Sequence, residues 1–398
     1  MPQTIFAADI NSFCRKFLVE RPGATDPTPG EVAELNETLF ENLLLFDKLS
    51  LKIEGESIPI ALLINLLTQK GFEALIEQGA LEFVLWTEGV VFLVKNIQGL
   101  DGLASMSYSS PPHIDPEKSI ETGLAWMRNA PVGRKRRHLV RRILPHFRVT
   151  EKNIAANGLG LVKTALKTGG LEPYGIPKIV GAADNLDQLQ KHVIAKCAED
   201  LIEYEFLLKN NMTSFSSYRY FSPFWDTAQR FQIMNKTLEG FTSISVIEGL
   251  PNLRELCREL DDPWRRLPTV RATKNARLFR SWLETTAGKS PDGDMVKAYL
   301  DSISESRGTF DAPSRKFLKT VAVAAVGVGA SAVATGYAGA AIGAAGGVAT
   351  ALAVEKAAEF MAGTVTGVLD GFVLDRVAKG WSPRMFFDDI SKMRLPRS

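Results

Sequence analysis

Histidine and cysteine are both scarce: four of the first and three of the second in 398 residues. Cys14, Cys197 and Cys257 are odd in number and far apart, which excludes a disulfide framework and a cysteine-ligated metal centre. A reducing cytoplasm fits that usage. His113, His138, His146 and His192 form neither the His-x-x-x-His nor the Glu-x-x-His spacing of a helical metal site. The sequence therefore points to no metal and no cofactor. His192 and Cys197 share a predicted helix but lie five positions apart, about 140° round its axis, so they do not read as a Cys–His pair.

Catalytic signatures are missing as well. No nucleophile elbow and no dinucleotide fingerprint occurs. Gly288-Lys289-Ser290 has the ending of a phosphate-binding loop, but Leu283 stands where that pattern needs glycine, and Pro291-Asp292-Gly293 turns the chain where a helix must begin. Near Met1, Asp9 interrupts the apolar stretch before it reaches leader length, so no secretory leader is expected. The acidic positions Glu199, Asp200, Glu203 and Glu205 read as a solvated helix surface. These absences favour a binding protein over an enzyme.

Charge is lacking over one long stretch. Thr320 to Val354 holds no charged side chain in thirty-five residues, and twenty-one of them are Ala or Gly. Gly339, Gly343 and Gly347 recur every four positions, and Gly363, Gly367 and Gly371 repeat the spacing. That period places each triplet on one helical face, where missing Cβ atoms let a neighbouring backbone come close. The segment reads as a glycine-zipper hairpin of two helices, about 315–345 and 348–380. It suits lipid insertion, lipid-chain binding or tight oligomerisation. Leucine is nearly absent: nine Val, Ile or Leu residues favour insertion by only about 3–5 kcal/mol. The second arm carries Glu355, Lys356, Glu359, Asp370, Asp375, Arg376 and Lys379, which makes it amphipathic. A core packed at short interaxial distance fits equally well.

What is present in excess is basic charge in one place. Arg134, Lys135, Arg136, Arg137, Arg141, Arg142 and Arg148 put seven fixed positive charges into fifteen residues. Leu139, Val140, Ile143 and Leu144 supply an apolar strip, and Pro131, Gly133 and Pro145 delimit a short amphipathic helix. Such a helix can lie on anionic lipid or neutralise the phosphates of a nucleic acid. Its arginines can also pair with the acidic front of the chain, because residues 1–116 balance to −9 and the remainder to +11. A second basic helix, Arg271, Lys274, Arg277 and Arg280, reads as a solvated face. Seven aromatics between Phe215 and Phe231 suit a hinge between helices, a stacking platform or a membrane belt.

The element pattern predicts an α+β fold that is predominantly helical. Residues 1–116 form a small acidic α/β module, 117–306 a basic helical domain, 315–380 the hairpin and 381–398 a tail. In the module, Glu31–Glu41 reads as a helix, Leu43–Ile53 as a strand, and Ile58–Gln78 as a helix. Leu81–Trp86 and Val90–Lys95 read as a hairpin, followed by a loop over 98–116. Helices are expected over 117–130, 133–144, 151–168, 184–209, 225–247, 251–260, 273–287 and 292–306. The functional expectation is a non-enzymatic protein that associates with an anionic membrane or lipid through the basic helix and the glycine faces. By architectural analogy, such a layout suits a sensor or effector in bacterial stress or anti-phage defence. Nucleic acid, a protein partner or a homo-oligomer formed through the hairpin are the alternative partners.

Overall fold

The computed structural model describes residues 4–8, 10, 13–14, 28–92, 102–172, 176, 178, 186–214, 253–289 and 381–392. The helices expected over 225–247 and 292–306, the aromatic run from Phe215, and the glycine hairpin lie outside these residues. The described chain falls into two compact units: 4–214 with 262–272, and 253–261 with 273–289 and 381–392. The fold is α+β and predominantly helical, with eleven helices among the described residues.

The larger unit is built on a parallel sheet. Its strands are β1 (Thr4–Ala7), β2 (Lys48–Ile53), β3 (Leu81–Leu85), β6 (Phe147–Val149) and β7 (Thr213–Ser214), in the order β6-β3-β2-β1-β7. All four pairings are parallel. The sheet thus draws strands from both sides of residue 116. Between them run α1 (Pro29–Leu45), α2 (Ile58–Glu77), α3 (Pro111–Ile114), α4 (Pro116–Ala125), α5 (Gly133–Ile143), α6 (Ala155–Thr168) and α7 (Gln188–Lys209).

Leu81–Trp86 does not form a hairpin with the segment after it. β3 lies inside the sheet between β2 and β6, and β4 (Glu88–Phe92) pairs antiparallel with β5 (Leu103–Ser107). The reason lies in burial. Leu81, Phe83, Val84, Leu85 and Trp86 are all buried, as a parallel strand covered on both faces requires, and such a strand reads as a continuous apolar run. The expected loop over 98–116 contains β5 and α3. Likewise Leu43–Leu45 belongs to the end of α1, so the strand expected from Leu43 begins only at Lys48.

Register assigns each face of the sheet. Ile5, Leu49, Leu51, Ile53, Leu81, Phe83 and Leu85 share one face, where Phe72 of α2 meets Phe83 at 6.5 Å between ring centroids. Phe6, Ser50, Lys52, Glu82, Val84 and Arg148 share the other. There Phe6, Val84 and Trp86 join a core with α6 and α7, and Phe206 packs on Phe6 at 5.4 Å and on Trp86 at 5.3 Å.

Local chemistry sets the helix ends. Thr28 and Glu31 form a reciprocal capping box at the start of α1. At its other end, Arg271 donates to the carbonyls of Leu43, Phe46 and Asp47. Arg271 closes α9 (Pro263–Arg271), follows the short α8 (Leu253–Glu259) in sequence, and is 2% exposed. This corrects the expected solvated basic face. Arg271 satisfies carbonyls that α1 leaves unpaired, where a cation also complements the helix dipole. α2 is the one described helix long and apolar enough to cross a membrane, but half of that stretch is buried and Thr68 interrupts it with φ 63 and ψ 162.

The smaller unit contains α8, α10 (Lys274–Lys289) and α11 (Arg384–Ser391). Phe279 and Phe386 stack at 4.1 Å, Phe387 meets Phe279 edge-on at 5.5 Å, and Asn275 donates to Asp389 at 3.0 Å. Lys274 and Arg277 are exposed, whereas Arg280 is buried, so only part of the second basic helix is solvated.

Candidate anionic-surface interface

From Thr122 to Thr150 the chain contains eight Arg or Lys residues and no Asp or Glu. α5 occupies the middle of this stretch. Gly133 opens it with φ +56, a left-handed turn that a side chain would resist. Leu139, Val140 and Ile143 are buried and fix its inner stripe. At 100° per residue, Arg134, Arg137, His138 and Arg141 then fall on the opposite, outer side. All four are exposed, and so is Lys135.

Three members of the cluster serve the fold. Arg136 donates to the Glu121 carbonyl and ties the first turn of α5 to α4. Arg142 bonds to Glu73 of α2 at 3.0 Å and also to Glu77. Arg148 lies on β6, not on the helix. It pairs with Glu82 at 3.1 Å, donates to Asn210 at 2.7 Å, and stacks over Phe206 at 5.4 Å. Pairing with the acidic front of the chain therefore accounts for Arg142 and Arg148. Arg134, Lys135, Arg137 and Arg141 have no ion pair among the described residues.

Two of these four, Arg134 and Lys135, oppose the helix from its first turn, whereas Arg141 stands in the last turn, where a cation suits the dipole. Cations in a first turn face the positive end of the helix dipole, at about 0.3–1 kcal/mol each, and α5 has no acidic residue there. Arg137 and Arg141 add a like-charge pair four residues apart, which costs a further few tenths of a kcal/mol (~0.2–0.5). No side chain caps its N-terminus. Local rules broken without an internal compensation are characteristic of functional surfaces. An anion at this end would supply that compensation, since it could meet both the side chains and the free amides of the first turn.

Apolar side chains border the basic face. Trp126, which caps the end of α4, is 48% exposed, Val132 at the start of α5 is 76% exposed, and Leu144 just past its end is 37% exposed. Periodicity alone assigned Leu144 to the inner strip; the 3₁₀ turn Leu144–His146 turns it outward.

A second charged group lies beneath α7 at the carboxyl edge of the sheet. Lys52 Nζ reaches Glu54 at 3.0 Å and Glu203 at 3.3 Å and sits 4.7 Å above the Trp86 ring. Burial alone would lower its pKa, but the carboxylates of Glu54 and Glu203 hold it above the ordinary lysine value. One turn before Glu203, Asp200 pairs with Lys196 at 2.8 Å, and burial pushes its carboxyl up to about 6. The acidic run on α7 is thus not a solvated surface: Asp200 and Glu203 are buried, and only Glu199 is exposed. Glu54 and Glu203 share Lys52, and Asp200 shares Lys196 with Glu199, so two lysines hold this layer of carboxylates against the core.

Cys14, Cys197 and Cys257 are buried, and burial raises the thiols of Cys14 and Cys197 to about 12, far from reactive values. His113 rests between Ser110, at 2.6 Å, and the Tyr108 ring, at 4.7 Å, in a surface turn. Among the described residues no group of three or more His, Cys, Asp or Glu side chains is placed to hold a metal ion. Gly339, Gly343, Gly347, Gly363, Gly367 and Gly371 lie outside the described residues. No family model, curated protein or solved structure matches the chain.

Proposed function

We propose that this protein associates peripherally with anionic membrane surfaces through the outer face of α5. The observation that carries the reading is a set of four exposed cations, Arg134, Lys135, Arg137 and Arg141, with no internal counter-charge among the described residues, the first two of them set in the first turn against the helix dipole. Near an anionic bilayer each such residue is worth about 1 kcal/mol, so the set supplies roughly 4 kcal/mol at low ionic strength. The buried stripe of α5 is already used by the fold, so the helix meets the membrane with its charges and does not lie down with its apolar side in lipid. The glycine-zipper segment joins the proposal on its sequence alone, as a second element that brings the chain close to acyl chains or to another helix.

Co-sedimentation with vesicles containing phosphatidylserine tests the reading. Replacing Arg134, Arg137 and Arg141 together by Ala should reduce bound protein to the level seen with neutral vesicles. Retained binding in the triple variant would exclude α5 as the contact. Vesicle binding lost when Gly339, Gly343 and Gly347 become Leu would place the hairpin in the same event. A steeply salt-dependent affinity for duplex RNA or DNA, with none for vesicles, would assign the face to nucleic acid instead.

A further inference from the structure

The connection between α4 and α5, residues 126–132, is short and apolar at both ends. Trp126 and Val132 are exposed at its two roots, and the residues between them include Arg128 but no acid. Arg136 fastens the first turn of α5 to the Glu121 carbonyl, one turn before Trp126. The two apolar roots are thus held beside the cationic face by the fold.

Single exposed apolar residues are ordinary on a protein surface, but Trp126 and Val132 both flank one cationic face. An anionic bilayer gives both components a partner. Phosphates and carboxylates of the headgroups meet Arg134, Arg137 and Arg141. The layer just below takes an indole, whose apolar body and single donor suit the headgroup boundary. Leu144 at the far end of α5 offers a third apolar contact. Resting on the membrane reading above, we infer that the α4–α5 connection is a shallow wedge: Trp126 and Val132 enter the headgroup–acyl boundary of an anionic phospholipid bilayer while α5 stays above it. The charges make the encounter, and the wedge lengthens the stay.

The test uses the full chain and vesicles of mixed phosphatidylcholine and phosphatidylserine, some with bromine on the acyl chain close to the headgroup as a contact quencher. Three proteins are compared: wild type, Trp126→Phe, and Trp126→Ala with Val132→Ser. Wild type should lose tryptophan emission on brominated vesicles, and Trp126→Phe should bind but lose that quenching. The double variant should bind roughly tenfold more weakly, as expected when one half-exposed large apolar side chain is taken from an interface. Equal quenching in wild type and Trp126→Phe, or equal affinity in wild type and the double variant, would overturn the wedge while leaving the charge-based contact intact. Failure of wild type to bind anionic vesicles at all would overturn both. Circular dichroism of the variants separates a lost contact from a lost fold.

Discussion

Lys52, near the carboxyl end of a central strand, holds its ammonium 3.3 Å from the carboxylate of Glu203, 151 residues away on the helix that covers it. Side-chain exposures of 13% and 6% place the pair out of bulk water. A charge pair so buried is fragile when one member is removed, because the remaining charge is stranded, but is not costly to replace as a whole. Lys52→Met should therefore lower unfolding stability by about 3–5 kcal/mol, and Lys52→Met with Glu203→Leu should recover most of that loss. Urea denaturation of wild type, the two singles and the double closes the cycle. Additive losses would show that the two residues do not act together.

Asp200 gives the larger unit a pH dependence with a definite sign. Its folded-state carboxyl lies at about 6 against an ordinary 3.8, so folding favours the protonated form. Its contribution is fully present below about pH 4 and is lost as pH rises through 6. The gap corresponds to roughly 3 kcal/mol as an upper bound. Asp200→Asn should raise the melting temperature at pH 7.5 and change it little at pH 4.5. The pairing lost to Lys196 matters less, because that lysine is about half exposed. A variant destabilised equally at both pH values would contradict this.

Gly158 and Gly160 sit two residues apart on α6 and should respond oppositely to alanine. A Cβ at Gly158 would lie 2.6 Å from Ile202 Cγ1 and 3.0 Å from its backbone nitrogen, whereas nothing lies within 4 Å of one at Gly160. In an open helical position alanine gains up to about 1 kcal/mol over glycine. Gly160→Ala should therefore stabilise by that order. Gly158→Ala must push α6 away from α7, and overpacking of this kind costs about 1–3 kcal/mol, which outweighs the propensity gain. Thermal melts of the two variants, with shifts of opposite sign, check the prediction.

Arg271 holds the end of α1 through three carbonyls from inside the core. Lysine keeps the charge but presents a single point donor in place of a planar fork. Arg271→Lys should cost about 2–3 kcal/mol and Arg271→Ala more, since hydrogen bonds to a charged group are worth about 1.5–3 kcal/mol each. Chemical denaturation measures both, and a neutral lysine variant would show that the fork is not needed.

The sequence disclosed elements whose signals are local and hid those whose partners are distant. Residues 58–77 and 133–143 read correctly because their apolar spacing and their flanking Pro and Gly sit in the same stretch of chain. The charged residues of α7 did not, because Asp200 and Glu203 have the spacing of any solvated helix. Only the arrival of Lys52 and the packing of α7 on the sheet take Glu203 out of water. Arg148 stands close in sequence to the basic cluster, yet Pro145 ends the helical stretch before it, and the sheet register places it opposite Val84. Arg271 shared a helical period with Arg277 and Arg280, but a break at 272–273 puts it on a different helix. At the candidate interface the sequence showed the charge. The fold divided those charges into paired and outward-facing ones and added Trp126, Val132 and Leu144, which no periodicity argument connects to them.

The proposed contact is between the outward cations of α5 and an anionic bilayer. The most direct measurement is affinity for phosphatidylserine-containing vesicles as a function of salt, for wild type and for Arg134→Ala, Arg137→Ala and Arg141→Ala combined. Contact through these cations gives a wild-type affinity that falls steeply with salt, because screening shortens the reach of surface charge to about 10 Å at 0.1 M. The triple variant should bind about a hundredfold more weakly at low salt, with a much flatter dependence. Superimposable salt curves for the two proteins would contradict it.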